Sequence, residues 1–207
     1  MEKVSFFSAA ILLLVVSLSF SQYGCNEAKP AAPDTVAAPK TLSHAELLDR
    51  GKYIITAGGC EHCHSPKIFT PQGPIADSVR AFSGHPEGSP FLPIDKKALI
   101  PGNYMLFGPD MTSFVGPFGI TYAANLTPDS TTGLGAWTEE VFIKTMRTGK
   151  HLGQEGGRPI LPPMPWQSIS NFTDEDLRAM FTYLQAIPAI KNKVPAPVSP
   201  PDVAKMK

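Results

Sequence analysis

Cys60-Glu61-His62-Cys63-His64 is the stretch on which the reading of this chain turns. A Cys-x-x-Cys pair followed directly by histidine is the pattern that attaches c-type haem. Each position has a task in that chemistry. The thiols add as thioethers to the two vinyl groups of the porphyrin, and the imidazole of His64 is placed to ligate the iron. Two other uses of such a pair stand beside this one. A structural zinc site needs four ligands, usually with a second Cys or His pair, and no second pair is present. A redox dithiol normally opens a helix in a βαβ setting, and the flanking residues do not read that way.

On the N-terminal side, Ser43 and Glu46 form a capping box that opens a helix. Leu47, Leu48, Gly51, Ile54 and Ile55 recur on one face of it, and Gly58-Gly59 ends it just before the cysteines. Residues 26–40 carry Pro and Ala with almost no bulky apolar side chain, so they form a semi-extended tether. Lys3 followed by the apolar run around Ile11 to Val16 reads as an export signal. The alternative, a membrane-spanning anchor, needs roughly 20 apolar residues, and serines interrupt this run. Gly24-Cys25 resembles a lipoprotein processing site in which Cys25 becomes the acylated first residue. Gln22 departs from the aliphatic residue usual there.

On the C-terminal side, 65–121 is dense in Pro, Gly and aromatic residues, and only Asp95 to Ile100 suggests a helical turn. Such length without regular structure is unusual in a compact domain. A large apolar cofactor would offer it a surface to pack on. Phe82, Phe91, Phe107, Phe114 and Phe118 are candidates for that packing or for closing the loop on itself. A second helix runs from the cap Thr138 to Gly149, with Val141, Phe142, Thr145 and Met146 on one face. A last helix opens at Thr173 with Asp176 and carries Leu177, Met180, Phe181, Leu184 and Ile187 until Pro188. The segment after Lys193, with four prolines, is expected to be loose.

Composition narrows the function further. The chain has 207 residues with 18 basic and 18 acidic side chains, so its neutrality disfavours nucleic acid as a partner. The 22 Pro and 17 Gly sit beside 43% hydrophobic residues, which indicates one globular domain with long irregular connections. With Cys60 and Cys63 assigned to haem, only Cys25 is left, and no disulfide is expected.

The haem motif, together with Tyr122-Ala-Ala-Asn-Leu-Thr-Pro-Asp129, Gly133-Leu-Gly-Ala-Trp-Thr-Glu-Glu140 and Leu161-Pro-Pro-Met-Pro-Trp166, resembles a bacterial class I type mono-haem cytochrome c. The later segments are similar to cytochrome subunits that take electrons from periplasmic dehydrogenases. The resemblance extends from about Ser43 to Ile190. It implies an all-α, cytochrome c-like helical domain wrapped around one covalently bound haem c. It also implies that the last helix crosses the first, with Gly51 at the approach and Tyr183 against it. The domains expected are 1–24 signal, 25–42 lipid-anchored tether, 43–193 cytochrome domain and 194–207 Pro-rich tail.

The proximal iron ligand is then His64, whose other nitrogen needs an acceptor; the run to Pro74 is one source of it. The family places its distal methionine where Met164 stands, framed by Pro162, Pro163 and Pro165. Met105 and Met111 are rival thioethers, and His85 and His151 rival imidazoles; Met146 and Met180 read as core filling. Trp166, Arg147 and Arg158 are candidates for hydrogen-bonding the haem propionates, with Trp166 ranked first. Asn125 is expected to organise a turn. The leading reading is an exported one-electron carrier, not itself an enzyme, on the periplasmic side of a bacterial membrane. Its partners are a redox donor and acceptor and a membrane surface. A subunit of a dehydrogenase complex is the near alternative, and an open-site haem sensor or peroxidase-like protein the more distant one.

Overall fold

Helix α1, His44–Ala57, begins where its side chains satisfy the exposed backbone donors. Ser43 Oγ accepts the Glu46 N–H at 3.3 Å, and the Glu46 carboxylate accepts the Ser43 N–H at 2.9 Å. It ends before Gly59, whose φ of 65° turns the chain into the short helix α2, Cys60–His64. The computed structural model describes residues 41–206. The expected signal, Cys25 and nearly all of the tether lie outside them.

Three further helices complete the helical core: α3, Glu139–Thr148, the short α4, Trp166–Ile169, and α5, Asp174–Ala186. Thr138 and Thr173 cap α3 and α5 as expected, accepting from the N–H groups of Val141 and Asp176. The tightest crossing is α1 on α5. A Cβ on Gly51 would sit 2.0 Å from the Ala179 carbonyl oxygen and 2.8 Å from Tyr183 Cβ, so only glycine allows the approach. Ile54, Ile55, Phe142, Met146, Leu177, Met180 and Leu184 form the buried cluster between these helices. Phe142 and Phe181 meet there with ring centroids 5.4 Å apart.

The all-α expectation needs correction between the haem motif and Tyr122. Strands β1, Lys67–Thr70, and β2, Gly73–Ala76, form an antiparallel hairpin. Strands β3, Leu106–Phe107, β4, Ser113–Gly116, and β5, Gly119–Tyr122, form an antiparallel sheet in that order. These strands escape a periodicity reading because they are two to four residues long. In β4 successive residues are buried without alternation, so the period of two is missing. The turn expected near Asp95 is present as a 3-10 segment, Lys96–Leu99.

The tail is a second correction, because it is docked. Val198 and Ile120 exchange backbone hydrogen bonds of 2.9 Å in both directions. Helix α6, Pro200–Lys205, then lays Val203 in a small core with Ala98, Val115 and Ile120. Prolines at the start of α6 suit a first turn, where no N–H is required. Among the described residues no helix is long and apolar enough to cross a membrane.

Candidate functional site

His64 closes α2 and is buried, with 8% of its surface exposed. Its Nδ1 lies 2.8 Å from the carbonyl oxygen of Ala124. A carbonyl only accepts, so Nδ1 carries the hydrogen and Nε2 keeps a lone pair. Burial pushes the His64 pKa down, which favours that neutral ring. The acceptor thus comes from the segment after β5 rather than from the run to Pro74.

The Ala124 carbonyl is held by the crossing of two extended segments. His85 N–H donates to Ala123 O at 2.9 Å, Leu126 N–H to Phe82 O at 2.8 Å, and Gly84 N–H to His64 O at 2.7 Å. Gly84 lies in the left-handed region, and a Cβ on it would meet the Ala123 oxygen at 2.4 Å. Asn125 organises the turn as expected: Nδ2 donates to Ile190 O at 2.8 Å, and Oδ1 accepts from Thr127 N at 2.9 Å. Asn192, which carries no motif that would single it out, clasps the other segment through Ser83 O at 2.6 Å and His85 O at 2.9 Å.

Cys60 and Cys63 are half-buried free thiols. Burial pushes both thiol pKa values up, so both stay protonated at neutral pH. Cys60 packs against the helical core cluster, and Met164 packs against the same cluster. Phe82 belongs to it, with Leu126, Leu134 and Trp137, three residues whose packing role the sequence does not signal. His62 points away, exposed, its Nδ1 3.2 Å from Gly59 O.

The rival ligands have surroundings of their own. Met105 and Met111 are 41% and 40% exposed, on the sheet side of the molecule. Met146 and Met180 are buried core residues, as expected. His85 is bonded to Thr112, and the His151 ring stands 5.7 Å from that of Trp137. Of the loop aromatics, Phe82 alone joins the helical cluster. Phe107 and Phe114 pair edge to face at 5.4 Å, Phe118 covers Gly116, and Phe91 is exposed.

The three propionate candidates differ in what engages them. The Trp166 ring covers Gly149, where a Cβ would lie 2.4 Å from ring carbon Cε2. Arg147 turns to the Ser170 carbonyl and to Asp174, 2.6 Å away. Arg158 is exposed, and its backbone oxygen accepts from His151 N–H at 2.9 Å.

As a donor set, two protonated thiols beside a histidine with a free Nε2, and a thioether on the same apolar cluster, fit a covalently held haem. They do not fit zinc. Among the described residues no three His, Cys, Asp or Glu side chains come together as a metal cage.

Comparison with known proteins agrees with that chemistry. No family model matches the chain. It is 34% identical over 173 residues to the cytochrome c subunit of the quinone alcohol dehydrogenase of Gluconobacter oxydans, covering 80% of this chain and 28% of that protein. It is 30% identical over 152 residues to the gluconate 2-dehydrogenase cytochrome c subunit of Pantoea cypripedii, covering 69% and 26%. The fructose dehydrogenase cytochrome subunit of Gluconobacter japonicus is 25% identical over 178 residues, covering 83% and 28%. The chain is therefore similar to cytochrome c subunits of dehydrogenases, and it spans from 26% to 28% of the length of these relatives.

Proposed function

We propose that this chain is a c-type cytochrome that carries single electrons, with one haem bound through Cys60 and Cys63 and ligated by His64 and Met164. One observation carries the reading. A buried imidazole with its Nδ1 hydrogen committed to Ala124 directly follows two protonated thiols. When bound, haem supplies an iron that alternates between ferric and ferrous.

The residues of the chain keep the surroundings similar in the two states. The Ala124 carbonyl prevents the His64 ring from rotating. Prolines on both sides restrict the backbone of Met164, and its carbonyl accepts the Trp166 N–H at 2.9 Å. The apolar cluster of Phe82, Leu126, Leu134 and Met180, on which Cys60 and Met164 pack, would exclude water from a haem held there and raise the cost of charge. A neutral thioether favours ferrous over ferric iron. Trp166 remains the first choice for a propionate donor, since Arg147 would have to leave two present partners.

The similarity to dehydrogenase cytochrome subunits supports a dehydrogenase as the electron donor, either as a stable complex or as a passing partner. Substrate conversion then belongs to that partner, and this chain passes the electron. Export to the periplasmic side and acylation at Cys25 rest on residues 1–25 of the sequence. Retention of a Cys25→Ser variant in the membrane fraction would refute the anchor.

Met164 separates a closed carrier from an open haem site, because removing its sulfur opens a position on the iron. The wild type is expected to be six-coordinate and low-spin, with a long-wavelength sulfur-to-iron band in the ferric form. It should bind carbon monoxide poorly when ferrous. Met164→Ala should lose the band, bind carbon monoxide rapidly and show a lower potential. Rapid uptake by the wild type, or loss of the band in Met105→Ala or Met111→Ala with retention in Met164→Ala, would overturn the assignment.

A further inference from the structure

The segment between the cysteine motif and Tyr122 encloses a cleft of about 450 Å3, a size suited to a small organic molecule. Phe91, Leu106, Phe107, Val115 and Tyr122 give it mostly apolar walls. One polar side chain among the lining residues is nine-tenths buried. It is His85, at 9% exposure.

His85 is fixed from several directions. Its Nδ1 lies 2.7 Å from Thr112 Oγ1, and Thr112 Oγ1 donates to Asp110 Oδ2 at 2.7 Å. A hydroxyl has a single hydrogen, and the carboxylate takes it, so Thr112 accepts from His85 and Nδ1 carries the proton. The His85 backbone is tied to Ala123 O at 2.9 Å and to Asn192 Nδ2 at 2.9 Å. Its ring lies against Tyr122 with centroids 4.8 Å apart. Nε2 is therefore left with a lone pair and has no hydrogen-bond partner among the described residues. That nitrogen is not sealed from solvent, since among the described residues no fully buried side-chain nitrogen or oxygen lacks a partner, so it is open to a hydrogen-bond donor from outside the chain.

The carboxylate and the ammonium at the cleft are committed, and the guanidinium is paired through its Nε. Asp110 holds Thr112 through both the hydroxyl and the backbone N–H. Lys67 Nζ donates to the carbonyl oxygens of His62 at 2.9 Å and Ser65 at 2.5 Å. Arg80 Nε is paired with Asp77 Oδ2 at 2.8 Å. A fitting occupant is thus neutral, flat and apolar, and it donates one hydrogen bond.

We propose that this cleft binds a neutral hydroxylated aromatic ring, its hydroxyl donating to His85 Nε2 and its ring lying among Leu106, Phe107 and Tyr122. The site stands apart from the haem reading. The two meet along the backbone, where adjacent carbonyls of Ala123 and Ala124 accept from the His85 N–H and the His64 ring, and through Lys67, which lines the cleft and donates to His62 O.

Calorimetric titration of the full-length protein with 4-ethylphenol and with 4-ethylanisole tests the proposal, since the two probes differ in the hydroxyl hydrogen. The phenol is expected to bind about tenfold tighter, a difference of about 1.4 kcal/mol. In His85→Phe that preference should fall to about twofold or less, as the partner nitrogen is gone. Thr112→Val removes the acceptor that fixes the tautomer and should reduce the preference; Thr112→Ser should keep it. If His85→Phe fails to fold, as judged by its visible and circular dichroism spectra, the Thr112 pair decides. Equal affinity for both probes, no binding of the phenol up to its solubility limit, or full preference surviving in Thr112→Val would overturn the assignment.

Discussion

The Ala124 carbonyl fixes which His64 nitrogen carries the proton, and it does so from 60 positions further along the chain. His64 itself is singled out by the sequence, because it directly follows the Cys60 and Cys63 pair. Its acceptor was not legible, since a backbone oxygen carries no residue-type signal and any residue can supply one. The same holds for Asn192, whose clasp on Ser83 and His85 depends on two segments meeting in space. Asp129 shows a residue effect with a pH signature. Its carboxylate accepts from the hydroxyls and backbone N–H groups of Thr131 and Thr132, and this pulls its pKa from 3.8 to about 2. The folded-state value is depressed, so the stabilisation is present above the unfolded value and is lost as pH falls through the folded one. In chemical denaturation, the wild type should exceed Asp129→Asn in stability at neutral pH, and the gap should narrow between about pH 4 and pH 2. A gap independent of pH would show that the Asp129 charge is not what holds the loop.

Helices α1, α3 and α5 were readable element by element, because capping side chains and a 3.6-residue apolar period state both their ends and their buried faces. The Gly51 crossing of α1 and α5 follows from the family resemblance rather than from periodicity. Gly51→Ala should force the two helices apart and lower stability by about 1–3 kcal/mol or more, read as a fall in melting temperature. An unchanged melt would mean that the crossing is looser than the 2.0 Å contact to Ala179 requires. The strands and α6 were hidden for local reasons. β3 has two residues and β4 no alternation. Helix α6 hides in a Pro-rich tail, although Ser199 caps it and Asp202 N–H reaches the Ser199 hydroxyl at 3.4 Å. Tertiary burial of Val203 then outweighs a composition that reads as disorder.

Among the described residues two apolar clusters share the work of packing. One lies among the helices and carries Cys60 and Met164 at its margin. The other joins the strand segment to the C-terminal helix. Helical periodicity marks the members of the first that come from α1, α3 and α5, but not Leu126, Leu134 or Trp137. The second arises from contacts between β5 and the tail, which only the fold brings together. The central claim is that the helical cluster receives a haem bonded to the chain. Trypsin cleavage after Lys52 and Lys67 isolates a peptide from Tyr53 to Lys67 that contains both cysteines and His64. Its mass reports attachment directly, free of any modification at Cys25. From the exported wild type, this peptide should carry the mass of one haem and retain the colour after acidified solvent extraction. The corresponding peptide from the Cys60→Ala, Cys63→Ala variant should carry neither. A wild-type peptide at its bare polypeptide mass, or a double variant with an unaltered haem spectrum, would contradict the account.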